Sequence, residues 1–309
     1  MMVMKEHNGI YISLEELIQL EYIADGFSFL PKQPIHSVLG GRHASRLRGR
    51  GLNFEELRGY LPGDDIRNID WKVTARTQKP YVRVYTEEKE RPALIICDQR
   101  MPMFFGTKKE MKSVTAAKLA ALASWRILKS DDRVGGIVFN DSDITEHKPQ
   151  RSRSHTQQLL KSVSEYNNEL KVSNKIKSNP DQLNEVLDNV VRIAKHDYLI
   201  ILISDFYGLN DKSNKYLLSL AEHNDVLAFL IYDPIAVEMP EDGKYVLSEN
   251  ELQVELNMNN KKVHSPISNF TTKRLSDVDT RLKKIGIPIF RINNSDDIGK
   301  QLRTHFGNL

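Results

Sequence analysis

A chain of 309 residues with 40% apolar and 28% charged side chains has room for one large α/β domain plus an arm, or for two small domains, and its composition is that of an ordinary globular protein. A formal net charge of +3 is too small to argue nucleic-acid binding by itself, and the single cysteine, Cys97, excludes a disulfide within one chain and fits a reducing compartment. The longest aliphatic run, residues 199–203, is far below the ~20 residues of a membrane span, and the first residues lack a signal-peptide core, so the expected location is cytoplasmic.

In chain order, Ser13-Leu14-Glu15-Glu16 has the capping-box form and predicts a helix with Leu14, Leu17, Ile18 and Ile23 on its apolar face, ending near Gly26. Residues 40–51 read GGRHASRLRGRG and set Arg42, Arg46, Arg48 and Arg50 on a glycine-rich stretch. Backbone amides and guanidinium groups there would attract an anion or a nucleic-acid phosphate. Internal pairing of these arginines with Glu55, Glu56 or the acidic turn beyond is the plainer reading, with anion binding left open as the alternative.

Residues 49–90 read GRGLNFEELRGYLPGDDIRNIDWKVTARTQKPYVRVYTEEKE, a segment dense in Arg, Asp, Gly and aromatic residues. Pro62-Gly63-Asp64-Asp65 is a turn signal: Pro fixes one dihedral, Gly tolerates positive φ, and Asp bonds its own following amides. Arg58, Asp64, Asp65, Arg67, Asp70 and Arg76 alternate in sign at short range, which favours bidentate pairing in one polar network. Tyr60 and Trp71 are expected as its apolar pegs, beside Leu57, Ile66 and Ile69. The network is either a structural knot holding an arm to a domain or a surface that meets a partner.

This segment carries a resemblance. Gly49, Gly51, Phe54, Arg58, Tyr60, Gly63, Asp64, Asp65, Arg67, Ile69, Asp70, Trp71, Ala75, Arg76 and Thr77 fall on the spaced signature of the DUF58 family. The family is similar to von Willebrand factor A domains, and its members commonly accompany MoxR-type AAA+ ATPases. The resemblance therefore implies a fold and a partner, and no reaction.

Beyond the strand expected at residues 81–90, a boundary at Arg91-Pro92 divides the chain into an N-terminal helix and charged arm, 1–91, and an α/β domain, 92–309. Residues 93–97 form a continuous apolar run ending at Asp98, as a buried parallel strand does. A long Ala-rich helix over 112–129 and a strand over 134–139 follow. Residues 140–154 read as a polar loop, 155–166 as helix, 167–179 as a polar linker and 180–194 as helix. The second buried strand, 198–204, ends in Ser204-Asp205; helix 212–223, strand 226–232, a hairpin over 244–256, helix 272–284, strand 288–292 and helix 296–305 complete the alternation. The expected fold is a doubly wound, mainly parallel, Rossmann-like sheet with right-handed crossovers, in the von Willebrand A-like form that the resemblance implies.

Asp98 and Asp205 stand at strand carboxyl ends, where open α/β sheets carry their binding crevice. The von Willebrand A resemblance implies a divalent-cation site there, built on Asp-x-Ser-x-Ser with a later Thr and a later Asp. The matching residues are Asp98-Gln99-Arg100-Met101-Pro102, so Arg100 and Pro102 replace the two hydroxyl ligands, while Asp205 matches the later acid. A hard cation needs oxygen donors that neither residue offers, so the expectation is a metal-free crevice with the Arg100 guanidinium near the cation's place, neutralising a carboxylate.

No nucleophile stands beside a plausible base, the nine histidines lack zinc-ligand spacing, and neither a Walker loop nor G-x-G-x-x-G occurs. The expected activity is non-enzymatic protein binding, as adaptor or partner of a MoxR-type AAA+ ATPase. A nucleic-acid or anion binder using residues 42–50 is the alternative. A metal-dependent nuclease built on Asp64 or Asp65 with Asp70 and Lys72 is the weakest reading.

Overall fold

The computed structural model of the chain describes residues 9–26, 52–87, 91–171, 178–240, 243–249 and 252–307. Helix α1 (Leu14–Gln19) opens on the capping box: Ser13 Oγ accepts from the Glu16 amide at 3.2 Å and Glu16 Oε2 accepts from the Ser13 amide at 2.9 Å. Strand β1 (Leu52–Gly59), helix α2 (Trp71–Thr77) and strand β2 (Tyr81–Glu87) follow, with β1 antiparallel to β2.

The α/β part then runs β3 (Pro92–Asp98), α3 (Lys112–Lys129), β4 (Arg133–Phe139), β5 (Ile144–Gln150), α4 (Arg153–Glu169), α5 (Gln182–Ile193), β6 (Leu199–Ser204), α6 (Asp211–His223) and β7 (Asp225–Tyr232). It ends with the hairpin β8 (Lys244–Glu249) and β9 (Leu252–Asn257), then α7 (Lys261–Lys284), β10 (Ile289–Asn293) and α8 (Ile298–Phe306). Six strands form one sheet in the order β10-β7-β6-β3-β4-β5, parallel except for β5, which runs antiparallel on β4. This is a mixed α/β architecture with a mostly parallel, helix-flanked sheet.

Period-two alternation divides the core between the two faces of that sheet. Ala93, Ile95 and Cys97 of β3, with Ile201 and Ile203 of β6, pack into one apolar cluster with α1, α3 and α8. Leu94 and Ile96, with Ile200 and Leu202, pack into the other beside α5, α6 and α7. Because both faces are covered, these strands are continuous apolar runs. Ala116, Ala117, Ala120 and Ala121 of α3 are buried in the first cluster, and their small size lets the helix lie close to the sheet. Gly136 serves the same purpose on β4: a Cβ there would stand 2.7 Å from the Ile95 carbonyl and 2.8 Å from Leu159 Cδ1.

Two compact units result, Met1–Leu30 with Arg91–Leu309, and Pro31–Glu90. The expected arm of residues 1–91 is therefore divided. Residues 9–26 belong to the α/β unit, because Leu17 is fully buried in its first cluster and Trp125 Nε1 donates to the Leu17 carbonyl at 3.0 Å. Burying one such leucine contributes about 2 kcal/mol. The Ile12 amide adds a bond to Asn167 Oδ1 at 3.0 Å.

Three local expectations are corrected. The polar loop over 140–154 contains β5, whose alternating polar side chains suit a sheet edge. Helix α4 extends to Glu169, into the expected linker, and α7 begins at Lys261, well before 272. The hairpin expected over 244–256 is present as β8 and β9.

Candidate functional site

Parallel strands bring their carboxyl ends to one edge, and here four neighbouring strands each deliver a buried aspartate there. Asp98 ends β3, Asp205 follows β6, Asp141 follows β4 and Asp233 follows β7, with 0%, 4%, 7% and 2% of their surface exposed. Buried carboxylates need compensation, so the partners of each decide what the edge can do.

Asp98 is held by Arg100 from two residues away. Arg100 Nη2 donates to Asp98 Oδ2 at 2.7 Å, Nε donates to Oδ1 at 3.0 Å, and the Arg100 amide donates to the same Oδ1 at 3.0 Å. Both side chains are fully buried. The guanidinium also donates to the Tyr207 carbonyl at 3.0 Å and the Asn179 carbonyl at 3.4 Å, and lies over the Phe139 ring. Ser204 Oγ donates to Asp98 Oδ2 at 2.5 Å and accepts from the Phe206 amide at 2.8 Å. Burial works against the charged form of Arg100, but Asp98 beside it, with Asp205 and Asp141 beyond, outweighs that cost and raises its pKa.

Asp205 is compensated separately. Lys112 Nζ, in the first turn of α3, donates to Oδ2 at 2.7 Å, and Arg274 of α7 approaches the same oxygen at 3.3 Å while bonding the Asp205 carbonyl at 3.2 Å. Burial alone would raise this carboxyl, but Lys112, Arg274 and Arg100 reverse the effect and hold it well below the usual carboxylate range. Asp141 accepts from the Met101 amide at 2.6 Å and the Asn179 amide at 2.8 Å, and burial pushes its pKa up. Asp233 accepts from Thr107 Oγ1 at 2.6 Å, the Thr107 amide at 2.8 Å and Asn294 Nδ2 at 3.0 Å.

The structure thus brings Asp98, Arg100 and Asp205 to one edge. Lys112, Arg274, Asp141, Ser204 and Asp233 were not singled out from sequence. Lys112 left one signal, being a cation in the first turn of an Ala-rich helix, where the macrodipole disfavours positive charge unless an anion stands opposite. Pro102 sits in a 3-10 turn, Met101–Met103, after Arg100.

Each of the four aspartates is thus compensated by hydrogen bonds or a cation, while Asn294 Oδ1, beside Asp233, is buried without a partner among the described residues. Cys97 is fully buried in β3, where burial, against the lesser pull of the Gln99 contact, pushes its thiol up to about 12. Among the described residues, no group of three or more His, Cys, Asp or Glu side chains is placed to hold a metal ion.

In the unit Pro31–Glu90, the expected network includes two anchors, Arg58–Asp64 and Arg83–Asp70. Arg58 clamps Asp64 with two bonds of 2.8 Å, and the Leu61 amide donates to Asp64 Oδ2 at 2.8 Å; Arg58 first, then that amide, lower the Asp64 pKa. Asp70 caps α2, accepting from the Lys72 and Val73 amides at 3.0 and 3.1 Å, while its other oxygen takes Arg83 Nε and Nη2 at 2.9 and 2.8 Å. Asp70's ionic partner is therefore Arg83, and Arg83 first among its neighbours lowers its pKa. Asp65 caps the 3-10 turn Ile66–Asn68 through the Arg67 amide at 3.0 Å, and Gly63 takes φ +107° in the turn before it.

Other expected members stand outside both anchors. Among the described residues, Arg67 and Arg76 are exposed and make no side-chain ion pair. Trp71 is no apolar peg: 68% of its surface is exposed, and Ile66 is exposed as well, whereas Tyr60 and Ile69 are half-buried. Asp64 and Asp70 are each held by an arginine, and one oxygen of Asp65 takes the Arg67 amide. Arg42, Arg46, Arg48 and Arg50 lie outside the described residues.

Known proteins resemble the chain as follows. Uncharacterized protein Rv1480 of Mycobacterium tuberculosis is 26% identical over 267 residues, covering 86% of this chain and 82% of that protein, and Uncharacterized protein Mb1516 of Mycobacterium bovis matches to the same extent. The crystal structure of conserved hypothetical protein BatB from Bacteroides thetaiotaomicron aligns with a TM-score of 0.43 at 16% identity, over 68% of this chain and 93% of that one. The family described as "Protein of unknown function DUF58" matches residues 56–274, from the end of the β1 segment into α7, and the chain belongs to that family.

Proposed function

We propose that this protein is a non-enzymatic protein-binding module of von Willebrand A-like form, serving as an adaptor or substrate-presenting partner of a MoxR-type AAA+ ATPase in the cytoplasm. The observation that carries this reading is the Asp98–Arg100 pair. A fully buried, bidentate guanidinium fills the carboxylate that would otherwise be the first ligand of a cation at the edge of the sheet. Ser204 engages the same Asp98 Oδ2, and Lys112 with Arg274 engages Asp205 Oδ2, which supports reading the crevice as one that works without a cation.

A domain with its polar groups turned inward in this way recognises partners through its surface. Fold alone does not assign a function, so the ATPase enters from the family resemblance. No helix among the described residues is long and apolar enough to cross a membrane, and the buried, lone Cys97 suits a reducing interior.

Affinity capture of the tagged full-length chain from its own organism, with and without ATP, tests the reading. Retention of an AAA+ ATPase whose yield changes with nucleotide is the expected result. Turnover of a substrate by the purified chain alone, or capture that never includes an AAA+ ATPase, contradicts it.

A further inference from the structure

The signature segment spends its acids and keeps its cations. Of the three acids between residues 58 and 76, Asp64 is bound by Arg58, Asp70 by Arg83 and the first amides of α2, and Asp65 by the Arg67 amide. Arg67, Lys72 and Arg76 are left exposed, and among the described residues none of their side chains has an ionic partner. The same stretch carries Trp71, Ile66 and Leu61, with 68%, 63% and 60% of their surfaces in solvent. Lys72 and Arg76 are four residues apart on α2 and so share a helix face.

Three large apolar side chains exposed within eleven residues of sequence are unusual, because a small unit normally turns such area inward. Trp and Arg are also the residue types that dominate binding energy at protein interfaces. Two anchors, Arg58–Asp64 and Arg83–Asp70, hold the turn and the start of α2 in place, so the face is presented at low entropic cost.

We infer that this exposed stretch, residues 61–76, is a docking surface for an acidic polypeptide segment that carries an aliphatic side chain. Positive charge that has no ionic partner among the described residues selects an anionic occupant. Leu61 and Ile66 then favour a polypeptide over a nucleic acid: bases stack on the aromatic ring, but two aliphatic side chains offer them no platform. The inference rests on the reading of the chain as a protein-binding module and names the surface that does the binding.

Trp71 supplies its own reporter. The chain has two tryptophans, and the other, Trp125, is fully buried with its Nε1 bonded to the Leu17 carbonyl. The full-length chain is titrated with a random copolymer of glutamate and leucine, with polyglutamate and oligo-dT as parallel probes. The expected result is a blue shift of the exposed emission and protection from acrylamide with the copolymer, weaker with polyglutamate, and reduced by salt. R67E/K72E/R76E should weaken copolymer binding about tenfold or more, with an unchanged melting temperature, since no fold contact is lost. W71A, read by anisotropy of labelled copolymer, should do likewise.

No response of Trp71 to the copolymer, or tighter binding of oligo-dT than of the copolymer, overturns the docking face. Capture of the ATPase by W71A and by the triple variant as efficiently as by the wild type also overturns it, and leaves the protein-binding reading intact. Failure of the wild type to capture any ATPase, with Trp71 still bound by copolymer, strikes the ATPase reading and leaves the face.

Discussion

Arg100 meets both carboxylate oxygens of Asp98, Nη2 to Oδ2 at 2.7 Å and Nε to Oδ1 at 3.0 Å, with neither side chain reached by solvent. The two residues are separated only by Gln99, whose side chain turns the other way to bond the Ser113 carbonyl at 3.0 Å and accept from Asn167 at 3.1 Å. The pair thus closes the edge of the sheet from within its own loop.

Breaking this pair from one side is expected to be costly. R100M leaves the Asp98 carboxylate buried with only the Ser204 hydroxyl and the residue-100 amide, and should lower unfolding free energy by about 3–5 kcal/mol. D98N/R100M, which removes both charges, should recover much of that loss. Urea unfolding of the three proteins checks the difference; equal stability of R100M and wild type would mean that the pair has no structural weight.

Acid should attack the Asp205 cluster. Its folded-state pKa lies below the unfolded value because Lys112, Arg274 and Arg100 overcome burial. The stability it contributes is therefore fully present above the ~3.9 of an unfolded aspartate and is lost as pH falls below that toward the folded value. Asp141 acts in the opposite sense, since burial raises its folded-state pKa and protonation there favours the folded protein. Unfolding free energy measured from neutral pH down through 3 should fall more steeply in wild type than in K112M, whose Asp205 has lost its nearest cation. A parallel pair of curves would contradict the assignment.

Asp70 does two separable jobs. D70A removes both the cap on the Lys72 and Val73 amides and the anchor for Arg83, whereas D70N keeps an oxygen for capping and loses the charge. Amide hydrogen exchange at Lys72 and Val73 should accelerate strongly in D70A and weakly in D70N. Equal exchange in the two variants would show that the cap is not what holds α2.

The centre of the fold was legible because β3 and β6 are buried on both faces and therefore read as unbroken apolar runs ending in aspartate. Strand β5 was not, since Glu146, Lys148 and Pro149 are what an edge strand tolerates and what a loop also contains. The first turns of α7 hid behind polar residues and Pro266. At the site, Asp98, Arg100 and Asp205 follow from strand ends, whereas Lys112 and Arg274 arrive from helices that are distant in sequence and meet only when the sheet is assembled. Trp71 opens the short helix α2, and an indole there reads as buried from residue type alone, whereas 68% of its surface is in solvent.

We propose that Arg100, in place of a cation, completes the edge of the sheet. Thermal melting of the wild-type chain across a magnesium titration tests it most directly. The melting temperature should stay level from EDTA to excess magnesium; a saturable rise would mean that a cation binds the folded state and that Arg100 does not replace it.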